Sequence, residues 1–308
     1  MELHYEGFFL ETAVFLCARR GDPPVPSAQV YRFHWEREQV YREPDPEIRE
    51  RRFSEVHLAW FREWGLERRW RRVLEEDPLI VAKLDRLVVC RPRGRGEAGI
   101  ELYVDSDRRT SAVLALFPEM LVTGVGLEAF LRHEFLHLHD MLDPAFAYKP
   151  VLQLFGLPPG CEPLVRDRYR LLWDISVDGR LHRAGLPAPG SVRQYEEAFC
   201  RRFARWPEEQ RWEVFRRLWS GLPVGHEELA RWAADPQALN PLIGPIPGGP
   251  CPLCGFPTFD WAASETVLAV ECLVRRDFPA WEPHLGFCGR CAELYQARSK
   301  SAGRPVAA

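Results

Sequence analysis

Leu131-Arg-His-Glu-Phe-Leu-His-Leu-His-Asp140 is the stretch from which the rest of the chain is read. Side chains four apart on a helix lie one above the other, so His133 and His137 aim at one point with Glu134 beside them. Two imidazoles can hold a Zn²⁺ ion, and a neighbouring carboxylate can take a proton from water activated by it. Stepping about 100° per residue from His133 puts His137 near roughly 40° and Asp140 near roughly −20°. Leu127, Leu131, Phe135, Leu138 and Leu142 then fall on the opposite side, between about 120° and 200°. The stretch therefore predicts a helix with one apolar stripe for the core and one His/His/Asp face for a cleft.

A catalytic zinc takes three protein ligands and leaves a position for water, so a third ligand is required. Asp143 stands at the last position of the extended metzincin pattern, but Asp140 occupies the place of the glycine that lets that chain turn. The other candidates are Asp174 and Asp178 in Leu171-Leu-Trp-Asp-Ile-Ser-Val-Asp178, a helical run ending near Gly185 and Pro187. Two carboxylates on the apolar side of a helix need cations to meet them. A metal would take one, and the ring N–H of a ligand histidine would take the other. The competing reading is an ion-pair network with Arg166, Arg168, Arg170, Arg180 and Arg183.

His133-Glu134-x-x-His137 followed by Asp174-x-x-x-Asp178 resembles the gluzincin clan of zincin metallopeptidases, over residues 99 to 187. The resemblance implies a zincin-like α+β core: a small sheet, an active-site helix and a ligand helix. It implies a catalytic Zn²⁺ on His133, His137 and Asp174, with Asp178 supporting a ligand histidine and Glu134 as general base. Asp174 stands where that clan carries Glu, so Asp178 remains an alternative ligand. The implied substrate is a protein or peptide. Tyr148, Tyr169, His139 and His182 are the nearby groups able to stabilise an oxyanion, and nothing in the sequence selects among them.

Gly99-Ile-Glu-Leu-Tyr-Val-Asp105 alternates as a strand does, and Ser111-Ala-Val-Leu-Ala-Leu-Phe117 is a second strand closed by Pro118. Residues 111–117 are expected either as an edge that pairs with an extended peptide or as a buried strand.

Cys251-Pro-Leu-Cys254 and Cys288-Gly-Arg-Cys291 form two knuckles whose four thiolates suit a closed tetrahedral Zn²⁺ site. With no open position for water, that zinc would be structural. Gly255 and Gly289 mark the tight turns, and Ala262–Cys272 is expected as a helix inside a zinc-ribbon-like module. Cys17, Cys90, Cys161, Cys200 and Cys272 read as reduced thiols, most of them small core residues. That usage, with no basic-plus-apolar leader and no apolar run long enough for a span, points to a cytoplasmic protein without a membrane partner.

Apolar residues make up 46% of the 308-residue chain and aromatics 12%, enough for ordinary cores; the net charge of −3 gives no global attraction to nucleic acid. Residues 1–95 read as a mainly helical region, 96–240 as the zincin-like core with a helical extension, and 241–308 as the zinc module with a disordered tail from Ser299. Leu66, Trp70, Val73 and Leu74 mark an amphipathic helix whose basic face carries Arg68, Arg69, Arg71 and Arg72. Phe199, Phe203, Trp206, Trp212, Phe215, Leu218 and Trp219 are expected packing anchors, and residues 240–250 a Pro/Gly linker. Two other readings stand beside a peptidase. One is a non-catalytic zinc protein, regulatory or nucleic-acid-associated. The other is a DNA-associated protease of the Spartan-like type, whose third histidine has no clear counterpart here. Oligomeric state is not legible.

Overall fold

The computed structural model describes residues 1–21, 24–152, 160–204, 208–221, 224–235, 238–239, 245 and 247–302. The chain divides into two compact units, one of residues 1–150 and 180–190, the other of residues 151–179 and 191–308.

The first unit opens with strand β1 (Glu2–Tyr5) and helices α1 (Gly7–Arg20), α2 (Ser27–Val40), α3 (Pro46–Glu63), α4 (Leu66–Leu74) and α5 (Pro78–Lys83). Strands β2 (Arg86–Cys90), β3 (Gly99–Val104) and β4 (Thr110–Ala115) follow, then α6 (Pro118–Thr123) and α7 (Leu127–Leu142). Two of the helix starts are written in the sequence as Asp-Pro. Asp45 caps α3 by accepting from the N–H groups of Glu47 and Ile48, and Asp77 caps α5 through those of Leu79 and Ile80. Proline at the first helical position loses no hydrogen bond there.

The sheet runs in the order β1-β2-β4-β3. β1 and β4 flank β2 in parallel, and β3 pairs antiparallel with β4. The two strands expected from alternation are present, joined by a turn in which Asp105 Oδ1 accepts from the N–H groups of Asp107 and Arg109. Residues 111–115 are not an edge, because β2 covers the flank of β4 away from β3; the edges are β1 and β3. Leu87 and Val89 of β2 and Ala112 and Leu114 of β4 turn inward and join Phe9, Phe61, Leu66, Trp70, Leu131, Phe135 and Leu138 in one core. That core unites residues on both sides of position 95.

The basic face of α4 is largely paired. Arg69 donates to the carbonyls of Leu121 and Val122 at the end of α6, Arg71 bridges Glu67 and Glu75, and Arg72 meets Glu128. α7 packs on α4, α5 and β3. Leu127, Leu131, Phe135, Leu138 and Leu142 are its buried apolar residues, the stripe read from the sequence.

Helix α8 (Glu162–Arg183) belongs to the second unit up to Gly179 and to the first from Arg180. The second unit continues with α9 (Val192–Arg202), α10 (Glu208–Trp219) and α11 (His226–Ala234), then the short strands β5 (Gly249–Pro250) and β6 (Pro257–Thr258) and helices α12 (Ser264–Ala269), α13 (Glu271–Asp277) and α14 (Gly289–Ala302). Ser191 and Gln194 form a capping box at the start of α9. Phe199, Phe203, Phe215 and Leu218 are buried anchors, and Trp219 stacks on Phe215. Trp206 and most of the expected 240–250 linker lie outside the described residues. The tail expected to be disordered from Ser299 instead continues α14 to Ala302. Among the described residues no helix is long and apolar enough to cross a membrane.

Candidate metal centres

Helix periodicity puts His133 and His137 on one face of α7, and their rings meet edge to face with centroids 4.6 Å apart. Their Nε2 atoms stand 3.2 Å from each other. His137 is 9% exposed and His133 is half-buried. One ligand atom from each of His133, His137 and Asp174 lies within 4.8 Å of the others, a group that could hold a metal ion.

The other carboxylates expected near this face have partners of their own. Asp140, buried and on the same helix face, forms a two-pronged ion pair with Arg180: Nη1 to Oδ1 at 2.8 Å and Nη2 to Oδ2 at 2.5 Å. Asp143 ends α7, and its Oδ1 accepts from Ala145 N–H at 2.9 Å. Asp178 is fully buried one turn beyond Asp174, and its Oδ2 accepts from the Tyr195 hydroxyl at 2.7 Å. Neither Asp143 nor Asp178 belongs to the group formed with the histidines.

Glu134 Oε2 accepts from the backbone N–H of Ile100, on edge strand β3, at 2.9 Å. A carboxylate between a histidine pair and a strand edge is held by a main-chain donor, which fixes its rotamer. No sequence pattern signals this bond beyond the glycine that opens the strand. The same is true of Tyr195 against Asp178, which spans two helices.

Three of the four candidate oxyanion groups are accounted for. His139 Nδ1 lies 2.7 Å from Asp77 Oδ2, the carboxylate that caps α5. The Tyr169 hydroxyl is 2.8 Å from Nδ1 of the buried His226. His182 is exposed. Tyr148 is half-buried, and burial first, then the charge of Glu101 on β3, pushes its phenol up.

The second centre is built from Cys251, Cys254, Cys288 and Cys291, whose sulfurs all lie within 4.8 Å of one another. Cys251 Sγ is 3.9 Å from Cys291 Sγ, and Cys254 Sγ is 3.8 Å from Cys288 Sγ. Cys251 N–H donates to the Phe256 carbonyl and Gly255 N–H to the Cys251 carbonyl, closing a turn in which Gly255 has φ +76°. An L side chain is disfavoured there. Gly289 serves differently: a side chain on it would strike the Asp260 carboxylate. The second cysteine pair lies at the start of α14 and not in a second hairpin, so the expected ribbon is half replaced by a helix end. The gap between the pairs holds α12 and α13. Burial opposes ionisation of Cys251, but the N–H groups of Cys288, Cys254 and Leu253 outweigh it and hold the thiol at about 7. Val267, Val270, Val274, Trp281, Phe287 and Tyr295 pack around the cysteines as a small core of their own.

Comparison with known proteins leaves this geometry to speak alone: no protein-family model, curated protein or solved structure matches the chain.

Proposed function

We propose that this chain is a zinc-dependent peptidase, with a catalytic ion on His133, His137 and Asp174 and a structural ion on the four cysteines. The observation that carries the reading is the convergence of two histidine nitrogens and one carboxylate beside Glu134. Two tests of fit support zinc. Tetrahedral zinc bonded to imidazole at about 2.05 Å sets two nitrogens about 3.3 Å apart, and bonded to thiolate at about 2.3 Å sets two sulfurs about 3.8 Å apart. The nitrogens stand at 3.2 Å and the sulfur pairs at 3.9 and 3.8 Å. Two neutral imidazoles can also share a hydrogen bond at such a distance; the approach of Asp174 favours the metal.

A zinc ion bound there supplies a water of lowered pKa and positive charge for a polarised carbonyl. The protein's own part falls to Glu134. Its carboxylate takes a proton as the water attacks a peptide carbonyl and delivers it to the leaving amine. Ile100 N–H keeps that carboxylate in one orientation. The open edge of β3 is the surface on which an extended peptide would add as a further strand. Tyr148, half-buried with its phenol pushed up by burial, is one of the groups able to donate to the developing oxyanion. The thiolate site suits a reducing, cytoplasmic setting.

Glu134→Gln provides the test. The variant should retain all the zinc of the wild type and lose peptide cleavage by about a thousandfold or more. A wild type that binds zinc at the histidines yet cleaves no member of broad peptide libraries would instead be a binding protein on this scaffold.

A further inference from the structure

We propose that Gly99 is a positioning residue for Glu134, and that the first N–H of the edge strand works as a latch on the general base. The inference rests on the peptidase reading for its consequence in catalysis, but the latch itself is a property of the fold.

Gly99 opens β3 with φ +152°, a backbone conformation that L side chains rarely adopt. A Cβ built there would stand 3.3 Å from Glu134 Oε2, 3.6 Å from its Cδ and 3.7 Å from Oε1. Among the described residues the three nearest heavy atoms to that position all belong to Glu134. The missing side chain therefore leaves room for the carboxylate of Glu134. The next residue supplies its donor, Ile100 N–H at 2.9 Å. Gly99 and Ile100 pair with Ala115 and Leu114 of β4, so the latch is anchored to an interior strand and not to a loop.

The position of Ile100 N–H adds a second consequence. Successive residues of a strand face opposite ways, so a donor that reaches Glu134 points away from β4, into the edge where a substrate strand would add. Glu134 thus takes the first hydrogen-bonding place on that edge. A peptide aligned on β3 begins its pairing beyond Ile100, or it competes with Glu134 for the same N–H. In the first case the latch sets the register of the peptide bond relative to the base. In either case the amide and the carboxylate are coupled.

The full-length, zinc-loaded protein labelled with ¹⁵N gives a readout that needs no substrate. Glu134→Ala should speed hydrogen exchange at the Ile100 amide by tenfold or more and move its proton resonance upfield, with zinc content unchanged. Gly99→Ala should do the same with Glu134 still present. In the activity assay Gly99→Ala should lower kcat by tenfold or more and leave KM within threefold. If Gly99→Ala fails to fold, Glu134→Asp takes its place, because a carboxylate one methylene shorter cannot span to Ile100. An Ile100 amide that exchanges at the same rate in wild type and Glu134→Ala overturns the latch, whatever the protein cleaves. A normal kcat in Gly99→Ala with a shifted Ile100 resonance overturns the positioning role. If the amide responds as expected and the wild type cleaves no peptide, the latch stands and the peptidase reading falls.

Discussion

Asp140 and Arg180 bind each other through two parallel hydrogen bonds, with the Asp140 side chain 6% exposed and that of Arg180 33% exposed. The pair fastens the last turn of α8 to α7, one turn beyond the two histidines. Asp174 and Asp178 lie upstream on the same continuous helix. Losing one partner leaves a buried carboxylate without its cation, and the partial exposure of Arg180 moderates the cost. Arg180→Ala should destabilise the protein by about 2 kcal/mol in denaturant titration. It should weaken zinc at the histidine site and leave the cysteine site filled, as read by metal analysis after dialysis against a mild chelator.

The two metal groups should be separable by mutation. Wild type is expected to carry one zinc per group. His133→Ala should leave a single zinc and a folded chain. Cys288→Ser should also leave one zinc, but with the C-terminal module loosened, because its small core is built around the sulfurs. Retention of both ions by His133→Ala, in metal content measured per chain, would remove the histidine centre.

Asp174 and Asp178 should differ in kind. On the proposed reading Asp174→Ala removes a ligand, so zinc affinity at the histidines should fall about a hundredfold or more in competition with a chromogenic chelator. Tyr195→Phe leaves the fully buried Asp178 short of one donor and should cost about 1–2 kcal/mol of stability with smaller loss of affinity. A larger loss of zinc from Asp178→Asn than from Asp174→Ala would exchange their roles.

His57 should give the first unit an acid-sensitive stability. The side chain is buried among Phe15, Phe33 and Phe53, with Nε2 lacking a hydrogen-bond partner among the described residues. Burial is the chief force lowering its pKa below the ordinary value; the charge of Glu11 opposes it and that of Arg37 adds to it. The unfolded chain therefore binds the proton first as pH falls. Stability from this group is full above about pH 6.5, the ordinary histidine value, and declines between there and the lowered folded pKa. His57→Phe should flatten the stability-against-pH curve in that window. An unchanged slope in thermal melts from pH 7 to 5 would show that other groups set the acid limb.

Much of the first centre is local in origin, and locality is what a sequence states openly. The spacing of His133, Glu134 and His137 sets one face of α7, and the leucine stripe sets the other, because both follow from the helix repeat alone. The two cysteine pairs are legible for the same reason. The Asp-Pro starts of α3 and α5 are local hydrogen-bond chemistry. β1 is different: four residues are too few for alternation to register.

What the sequence alone determined, then, is which side chains share a helix face or a turn. Tertiary structure decided which carboxylate meets which partner. Asp140 lies on the histidine face by periodicity, yet the guanidinium of Arg180 takes it. Asp143 turns to its own backbone, and Asp178 meets Tyr195. It also decided that β4 is interior and β3 an edge, and that Gly99 leaves room for Glu134. The reason is physical. Helical and turn geometry repeats over a few residues, whereas partner choice among buried charges depends on distances between segments far apart in the chain, which no local pattern encodes.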